Sequence, residues 1–191
     1  MNSVQQQKQE IRDEVLSKRE RISESEWRSK SEKIIGHLLN ADFYKTAEVV
    51  HTYISMNKRG EVCTDLFIEQ LFKDKKRVAV PITNFTDNTL SHSEIGPSTD
   101  LIENKWGVRE PKNVKPIQVS ELDLIIVPMA AADLKGNRLG YGKGFYDQFL
   151  KQTQALKAGL VFDQFLFKEI PVEEFDEKLD VIITEEDVIF S

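Results

Sequence analysis

Apolar residues recur at helical spacing among charged residues from residue 4 to residue 21, and this pattern predicts an amphipathic first helix. Its apolar positions are Val4, Ile11, Val15 and Leu16, while Lys8 and Arg12 lie one turn apart, which places both cations on one face. Ser23 and Glu26 then have the spacing of a capping box, and apolar pairs at 34–35 and 38–39 predict a second helix to about Asn40. We therefore expect two consecutive helices before the first strand.

From residue 49 onward the apolar residues form short runs instead of helical stripes. Runs rich in β-branched and aromatic residues predict strands at 49–54, 77–81, 122–128, 158–162 and 180–184. A helix capped by Thr64 and ending near Lys73 lies between the first two strands, which makes a βαβ unit. A hairpin-like stretch at 89–95, a loop at 106–116 and a helix from 145 to about 152 complete the pattern.

These elements predict one α/β domain over residues 1–191, with an open, mostly parallel sheet covered by helices on both faces. Strands covered in this way lack a clean alternation of apolar and polar residues. Ligands of such sheets bind outside the carboxyl ends of the strands. The stretches 54–56 and 128–147 both follow a predicted strand end, so we expect the binding site there.

The second of these stretches contains RLGYGKGFYD, from Arg138 to Asp147. Glycines at 136, 140, 142 and 144 leave successive main-chain amides open to a phosphate, which predicts an anion-binding nest. The stretch is not a Walker loop, because Asn137 stands where that loop needs glycine and Gly144 where it needs Ser or Thr. It is not the dinucleotide fingerprint either, because Phe145 replaces its third glycine.

The charged residues of the stretch suit a nucleotide with magnesium. Arg138 offers a fixed fork to two phosphate oxygens, Lys143 offers a mobile point charge, and Asp147 is a carboxylate suited to Mg²⁺. A plainer alternative is a simple turn, with Lys143 and Asp147 as an exposed i, i+4 pair and Phe145 and Tyr146 as ordinary core residues.

Composition narrows the class of protein further. A formal net charge of -6, with 30% charged residues, argues against general nucleic-acid binding. One cysteine and three scattered histidines exclude a disulfide framework and a zinc cluster. No apolar run approaches the roughly 20 residues of a membrane helix, and residues 1–15 lack the apolar core of a signal peptide. We therefore expect a cytoplasmic protein with no membrane or nucleic-acid partner.

The glycine-rich stretch and its surroundings resemble the 5-formyltetrahydrofolate cyclo-ligase family, also called 5,10-methenyltetrahydrofolate synthetases. The resemblance rests on RLGYGKGFYD with the upstream Asp133-x-x-Gly136-x-Arg138, and it extends from about residue 8 to about residue 184. Further matching segments are KQEIR at 8–12, Ile54-Ser-Met56 with Glu61, Trp106 with Pro111, and Pro171-Val-x-x-x-Asp176-x-x-x-Asp180.

The resemblance implies an enzyme that closes the ring of 5-formyltetrahydrofolate to give 5,10-methenyltetrahydrofolate, with Mg²⁺ and with ATP as co-substrate. It also implies a three-layer α/β/α fold shared with sugar-phosphate isomerases and coenzyme A transferases, and a monomer or weak homodimer. The implied catalytic positions are Arg138 and Lys143, and the implied metal ligands are Asp147 and Asp176.

The binding residues implied by the resemblance fall into two sets. Those implied for ATP are Lys8, Gln9, Glu10, Ile11, Arg12, Arg138, Leu139, Gly140, Tyr141, Gly142, Lys143, Gly144, Phe145 and Tyr146. Those implied for the folate are Ile54, Met56, Glu61, Trp106, Tyr141, Gly142, Lys143, Gly144 and Phe145. Trp106 would stack on a flat ring, and Glu61 would accept N–H groups of the pterin edge.

Two positions depart from the pattern of the family, and two other functions stay open. Ala132 stands where many members have an aromatic residue, and Tyr141 where some have arginine. Another enzyme of the same fold, such as a sugar-phosphate isomerase or an acyl coenzyme A transferase, would not need ATP and magnesium. A folate or nucleotide binder without turnover is the alternative from a different class.

Overall fold

The computed structural model describes residues 3–191. Its α-helices are α1 Val4–Arg19, α2 Glu24–Asn40, α3 Asp42–Thr46, α4 Asp65–Lys73 and α5 Phe145–Leu150. Its strands are β1 Val49–His51, β2 Arg77–Asn84, β3 Thr89–Ile95, β4 Leu101–Glu103, β5 Arg109–Pro111, β6 Leu124–Val127, β7 Ala131–Asp133, β8 Arg138–Leu139, β9 Leu156–Leu160, β10 Leu166–Phe167, β11 Val181–Ile183 and β12 Val188–Phe190.

A seven-stranded sheet in the order β12-β11-β9-β6-β1-β2-β3 forms the centre of the fold. The strands β11, β9, β6, β1 and β2 run parallel, whereas β12 and β3 pair antiparallel at the two edges. The predicted α/β class and mostly parallel sheet are confirmed. The β1-α4-β2 unit is also present, because β1 pairs parallel with β2 and α4 lies between them in the chain.

The strand β6 lies in the middle of the sheet, and all four of its residues are buried. This burial explains the continuous apolar run in the sequence, since a strand covered on both faces has no polar side to expose. Large side chains from other segments complete the core; among the fully buried ones are Phe67, Phe149, Phe162, Phe165, Ile34 and Leu38. No helix of residues 3–191 is long and apolar enough to cross a membrane.

The two predicted helix caps have different outcomes. Ser23 caps α2, because its Oγ accepts the amide of Glu26 at 3.2 Å. Thr64 precedes α4, but its hydroxyl donates to the carbonyl of Tyr53 and accepts the amide of Ser55 instead of capping the helix. Thr64 therefore ties the start of α4 to the segment that follows β1.

Several predicted boundaries were too long, and several short strands were not predicted. The strand predicted at 49–54 ends at His51, because Tyr53 turns to bond Val62 and Thr64. The predicted loop at 106–116 contains β5, which pairs with β4 to form a separate hairpin. The strands β7, β8 and β10 form a third small sheet. Strands of two or three residues are too short to show a period in the sequence.

Candidate functional site

A cleft of about 790 Å³ opens where the chain leaves β1 and β6. Its walls come from α1, the segment after β1, the β2–β3 and β4–β5 hairpins, the glycine-rich stretch, and the segment at 173–176. The predicted residues that line it are Lys8, Gln9, Arg12, Ile54, Met56, Glu61, Trp106, Arg138, Leu139, Gly140, Tyr141, Gly142, Lys143, Gly144, Phe145, Tyr146, Asp147 and Asp176. The expectation of a site at these strand ends agrees with this geometry.

The glycine-rich stretch runs from β8 to the first residue of α5. Gly142 and Gly144 have φ of 85° and 72°, in the left-handed region that favours glycine. A side chain at Gly142 would also crowd Arg12, since a Cβ there would stand 3.3 Å from its Cζ. These two positions therefore need glycine, and left-handed residues of this kind are part of main-chain anion nests.

Two cations of the cleft, both on α1, are held by fixed partners. The Nζ of Lys8 lies 2.9 Å from Glu173 and 2.5 Å from Asp176. One helical turn later, the Nε of Arg12 donates to the carbonyl of Gly140 at 2.8 Å. Lys8 and Arg12 share one face of α1 as the sequence predicted, and this face adjoins the glycine-rich stretch and the 173–176 segment.

Two further predicted cations lie in the glycine-rich stretch: Arg138, which is buried, and Lys143, which is exposed. The Nη2 of Arg138 lies 2.6 Å from Oδ1 of Asp147, so Asp147 pairs with Arg138 and the plainer pairing with Lys143 is not what the structure shows. The Nε of Arg138 is buried without a hydrogen-bond partner in the described part of the chain. A buried donor of this kind is suited to an incoming anion.

The predicted metal ligands, Asp147 and Asp176, both line the cleft and both pair with a cation, Arg138 and Lys8 respectively. Residues 3–191 contain no group of three or more His, Cys, Asp or Glu side chains placed to hold a metal by themselves. Magnesium beside a nucleotide is usually held by one or two carboxylates together with phosphates and waters. Two carboxylates in a cleft lined by cations fit that kind of shared site.

Glu61 is 3% exposed although it borders the cleft. Its Oε2 accepts the amide of Met56 at 2.6 Å, and the hydroxyl of Tyr141 lies beside the same carboxylate. Burial raises the pKa of Glu61, while these donors and the charge of Arg19 oppose that rise. The cleft thus presents a carboxylate that is held in one orientation.

Aromatic rings form another part of the wall. The ring centroid of Phe85 lies 5.1 Å from that of Trp106 and 5.7 Å from that of Phe145. Trp106 is half exposed, so its face remains available to a flat ligand. Tyr146 lines the cleft and is also partly buried against the core. The alternative that it is a core residue is therefore correct in part.

Two predicted ATP residues, Glu10 and Ile11, are not part of the lining of the cleft. Ile11 packs against the core. Positions 8 and 12 face the same way on a helix, whereas positions 10 and 11 point elsewhere, so the KQEIR motif reaches the cleft through only some of its residues.

The structure also places residues in the cleft that the sequence did not single out. They include Gln5, Arg59, Phe85, Arg109, Glu173 and Phe175. Phe85 follows the long strand β2, and only the turn of the β2–β3 hairpin brings it to Trp106. Glu173 and Phe175 could have been suspected from the sequence only because they lie within three residues of Asp176, in the matching segment near the end of the chain.

Comparison with known proteins identifies the family of the chain. The sequence model of the 5-formyltetrahydrofolate cyclo-ligase family matches residues 4–185. The 5-formyltetrahydrofolate cyclo-ligase of Haemophilus influenzae is 32% identical over 187 residues, which cover 93% of this chain and 98% of that protein. The mouse 5-formyltetrahydrofolate cyclo-ligase is 30% identical over 192 residues, which cover 94% and 90% of the two chains.

A solved structure has the same overall arrangement. The NMR structure of Aquifex aeolicus 5,10-methenyltetrahydrofolate synthetase superposes with a TM-score of 0.84 at 33% identity, covering 96% of this chain and 92% of that one. The matches extend over nearly all of the chain, including the cleft and the glycine-rich stretch. The chain therefore belongs to the 5-formyltetrahydrofolate cyclo-ligase family of enzymes.

Proposed function

We propose that the protein catalyses the cyclisation of 5-formyltetrahydrofolate to 5,10-methenyltetrahydrofolate, with Mg²⁺ and ATP, and with release of ADP and phosphate. The observation that carries this proposal is one cleft with four kinds of group. They are cations suited to phosphate, two carboxylates suited to Mg²⁺, the buried carboxylate of Glu61 and packed aromatic rings. A member of the cyclo-ligase family needs all four of these features if it binds both a nucleotide and a flat, polar ring.

Lys8, Arg12, Arg138 and Lys143 bind the phosphates of ATP in this proposal, together with the amides of the glycine-rich stretch. Phosphoryl transfer depends mainly on position and on stabilisation of charge, so no protein nucleophile is required. Arg138 is suited to this task because its buried guanidinium is already oriented by Asp147 and its Nε has no hydrogen-bond partner among residues 3–191.

Asp147 and Asp176 would hold Mg²⁺, which when bound neutralises charge on the phosphates. Their present partners are cations, and magnesium-bound ATP brings charges of both signs to the cleft. In that complex the phosphates would replace the carboxylates as partners of Lys8 and Arg138, which would leave the carboxylates available to Mg²⁺. This exchange avoids leaving a buried charge without a partner, which would be costly.

The folate occupies the wall formed by Ile54, Met56, Glu61 and Trp106. The carboxylate of Glu61 accepts N–H groups of the pterin edge, and the face of Trp106 stacks on a ring of the substrate. In this arrangement residues 141–145, which line the cleft, would contact both ligands and bring the formyl group near the γ-phosphate.

The proposed reaction has two steps. The formyl oxygen attacks the γ-phosphate, the bond from that phosphorus to ADP breaks, and a phosphorylated imine-like intermediate forms. The second folate nitrogen then attacks the formyl carbon and loses its proton, and the carbon–oxygen bond breaks to release phosphate. The cations of the cleft stabilise the charge that develops on the transferring phosphoryl group.

The test follows the near-ultraviolet absorbance band of the methenyl product from 5-formyltetrahydrofolate, with and without magnesium and ATP. We expect the band to grow only when magnesium and ATP are both present. A folded protein that binds both ligands without growth of the band would instead be a binder without turnover. Turnover of a sugar phosphate or an acyl coenzyme A in the absence of ATP would favour another enzyme of the same fold.

Three other expectations remain proposals. They are the fold relationship to sugar-phosphate isomerases and coenzyme A transferases, a monomeric or weakly dimeric state, and a cytoplasmic location. The relatives bear on the last of these without deciding it, since one from Arabidopsis thaliana is named as mitochondrial.

A further inference from the structure

Arg19, the last residue of α1, is a buried cation that does not itself line the cleft. Its Nη2 donates to the carbonyl of Met129 at 2.5 Å and to that of Ala130 at 3.1 Å. Both carbonyls belong to the segment that leaves β6 beside the cleft. The guanidinium is therefore fixed to this segment by two hydrogen bonds from a single nitrogen.

The other arm of the same guanidinium reaches the glycine-rich stretch. The Nη1 of Arg19 donates to the hydroxyl of Tyr141 at 2.9 Å. A tyrosine hydroxyl has one proton, so when it accepts from Arg19 its own proton is free for another acceptor. The acceptor beside it is the carboxylate of Glu61, which interacts with the Tyr141 hydroxyl and also accepts the amide of Met56. The chain of donors therefore runs from Arg19 through Tyr141 to Glu61.

The backbone next to Glu61 is packed against the same region of the first two helices. A Cβ at Gly60 would stand 3.3 Å from the Cβ of Arg19, and Gly60 has a φ of 61°. The indole nitrogen of Trp27 donates to the carbonyl of Glu61 at 2.6 Å. Both the main chain and the side chain of Glu61 are thus tied to residues outside the cleft.

Among the groups around Glu61, Arg19 is the buried cation that favours the ionised form of the carboxyl. Burial raises the pKa of this carboxyl, and the Met56 amide, the Tyr141 hydroxyl and the two nearby cations oppose the rise. The titratable and charged groups that face it are Arg19, Arg59, Tyr53, Tyr141 and Tyr146. Burial raises the pKa of the three tyrosines, so they stay neutral. Arg19 is the buried one of the two cations, since Arg59 is exposed.

We propose that Arg19 is a positioning residue that, through Tyr141, orients Glu61 and keeps it ionised as the acceptor for the N–H edge of the folate ring. This inference rests on the proposed function for the identity of the ring, whereas the linkage between the three side chains does not. Its consequence is that a residue outside the cleft controls the affinity for folate but not the affinity for ATP.

The kinetic test compares Arg19→Gln, Arg19→Lys and Tyr141→Phe, with Arg21→Gln as the matched control on an exposed arginine two residues away. We expect Arg19→Gln and Tyr141→Phe to raise the KM for 5-formyltetrahydrofolate roughly tenfold near neutral pH, as loss of a hydrogen bond to a charged group does, with little change in kcat or in the KM for ATP. This increase in KM should become smaller as the pH rises, because Glu61 is then ionised even without the charge of Arg19.

Arg19→Lys separates charge from geometry. A lysine keeps the charge but lacks the planar fork with which Arg19 reaches Tyr141 from one nitrogen and Met129 and Ala130 from the other. We therefore expect a loss of folate affinity that varies less with pH than that of Arg19→Gln. The double variant Arg19→Gln/Tyr141→Phe should raise the KM for folate little more than either single change, because both changes interrupt the same link from Arg19 to Glu61. Additive losses, or equal losses for folate and ATP at every pH, would overturn the proposal.

A second readout does not depend on catalysis. In protein with ¹³C-labelled glutamate carboxyls, Glu61 is identified as the signal missing from Glu61→Gln, and its titration is followed without ligands. We expect its midpoint to move to higher pH in Arg19→Gln and in Tyr141→Phe, and to stay in place in Arg21→Gln. Tyr141→Phe keeps the ring, so it remains informative if Arg19→Gln fails to fold.

The two readouts distinguish the failure of the inference from the failure of the proposed function. An unmoved Glu61 midpoint in both variants would refute the linkage even in an active cyclo-ligase. A moved midpoint in a protein that never forms the methenyl product would uphold the linkage and refute the proposed reaction.

Discussion

Among the cations of the cleft, Lys143 is the one with an exposed side chain in the glycine-rich stretch, whereas Arg138 is buried there. A mobile ammonium can follow the phosphoryl group as its charge develops, so its contact strengthens in the transition state. We expect Lys143→Ala to lower kcat on the order of 10²-fold. The measurement is turnover at saturating ATP and folate, followed by the absorbance of the methenyl product.

The matched control for this change is Lys151→Ala, which removes an exposed lysine near the end of α5, away from the cleft. Its turnover should equal that of the unaltered protein. Full activity in Lys143→Ala would reject this lysine as a contact of the reacting phosphoryl group.

Asp147 has a double role at the residue scale, because it orients Arg138 and is a proposed ligand of magnesium. Asp147→Asn keeps an oxygen for Arg138 but removes the charge that a hard cation prefers. We therefore expect a higher magnesium concentration for half-maximal rate, with the KM for folate unchanged. The measurement is a magnesium titration of the initial rate at fixed ATP.

Asp100→Asn is the control for this titration, since Asp100 is exposed and does not line the cleft. A magnesium requirement that is the same in Asp147→Asn, Asp100→Asn and the unaltered protein would remove Asp147 from the metal site.

Much of the candidate site was predictable at this scale, for a physical reason. Gly142 and Gly144 occur where the backbone requires left-handed φ, and Lys8 and Arg12 occur one turn apart, so local geometry is visible in the sequence. Arg19 was not predictable. A cation at the end of an amphipathic helix looks like a solvated residue until tertiary packing buries it.

At the scale of elements, a buried histidine pair connects β1 with β3, the two strands that flank β2 in the sheet. His51 of β1 and His92 of β3 lie 3.1 Å apart between Nε2 and Nδ1. Their rings pack on Phe149 of α5, with centroid distances of 4.9 Å and 4.2 Å. The pair therefore connects the sheet to the helix that follows the glycine-rich stretch.

This pair should make stability depend on pH. Burial lowers the pKa of His92 to about 4 and that of His51 well below its usual 6.5. Between pH 6.5 and about 4 the histidines are protonated in the unfolded chain but neutral in the folded one. The stability that the pair contributes is therefore fully present above pH 6.5 and is lost as the pH falls toward 4. His92 alone accounts for up to about 3 kcal/mol of unfolding free energy over that window.

The measurement is urea unfolding at pH 7.5 and at pH 5, for the unaltered protein and for His92→Gln. The glutamine keeps a polar partner for His51 but does not titrate. We expect a smaller fall in unfolding free energy between the two pH values in the variant. An equal fall in both proteins would assign the acid sensitivity to other groups.

The elements differ in how much of them the sequence predicted, and length explains most of the difference. The buried strand β6 and the helix α2 were found because their apolar patterns are long enough to read. The hairpin of β4 and β5 was assigned in part to a loop, although it brings Trp106 to the cleft. Its strands hold three residues each, and their pairing depends on a partner elsewhere in the chain.

At the scale of the whole molecule, the cleft is positive in a protein whose net charge is negative. Six of the 26 lysines and arginines line it against four carboxylates, whereas the chain as a whole carries a formal charge of -6. A cleft with a net positive charge raises the local concentration of anionic ligands. ATP and a folate are both anions, which agrees with this distribution.

The same cleft is built from segments that are far apart in the sequence, from Lys8 in α1 to Asp176 near the last strands. A ligand that contacts all of them binds the folded chain and not the unfolded one. Magnesium-bound ATP at about 100 times its Kd should therefore stabilise the fold by about 2.7 kcal/mol. For a protein of this size that corresponds to a rise in Tm of roughly 5–10 °C.

The measurement is thermal unfolding with and without magnesium-bound ATP, for the unaltered protein, for Lys8→Ala and for Lys18→Ala. Lys8 joins α1 to the 173–176 segment inside the cleft, whereas Lys18 forms an exposed pair with Glu14 on the same helix. At one fixed ATP concentration, Lys8→Ala should reduce the rise in Tm and Lys18→Ala should leave it intact. A rise that is equal in all three proteins would place the nucleotide away from α1, and no rise in any of them would contradict ATP as the co-substrate.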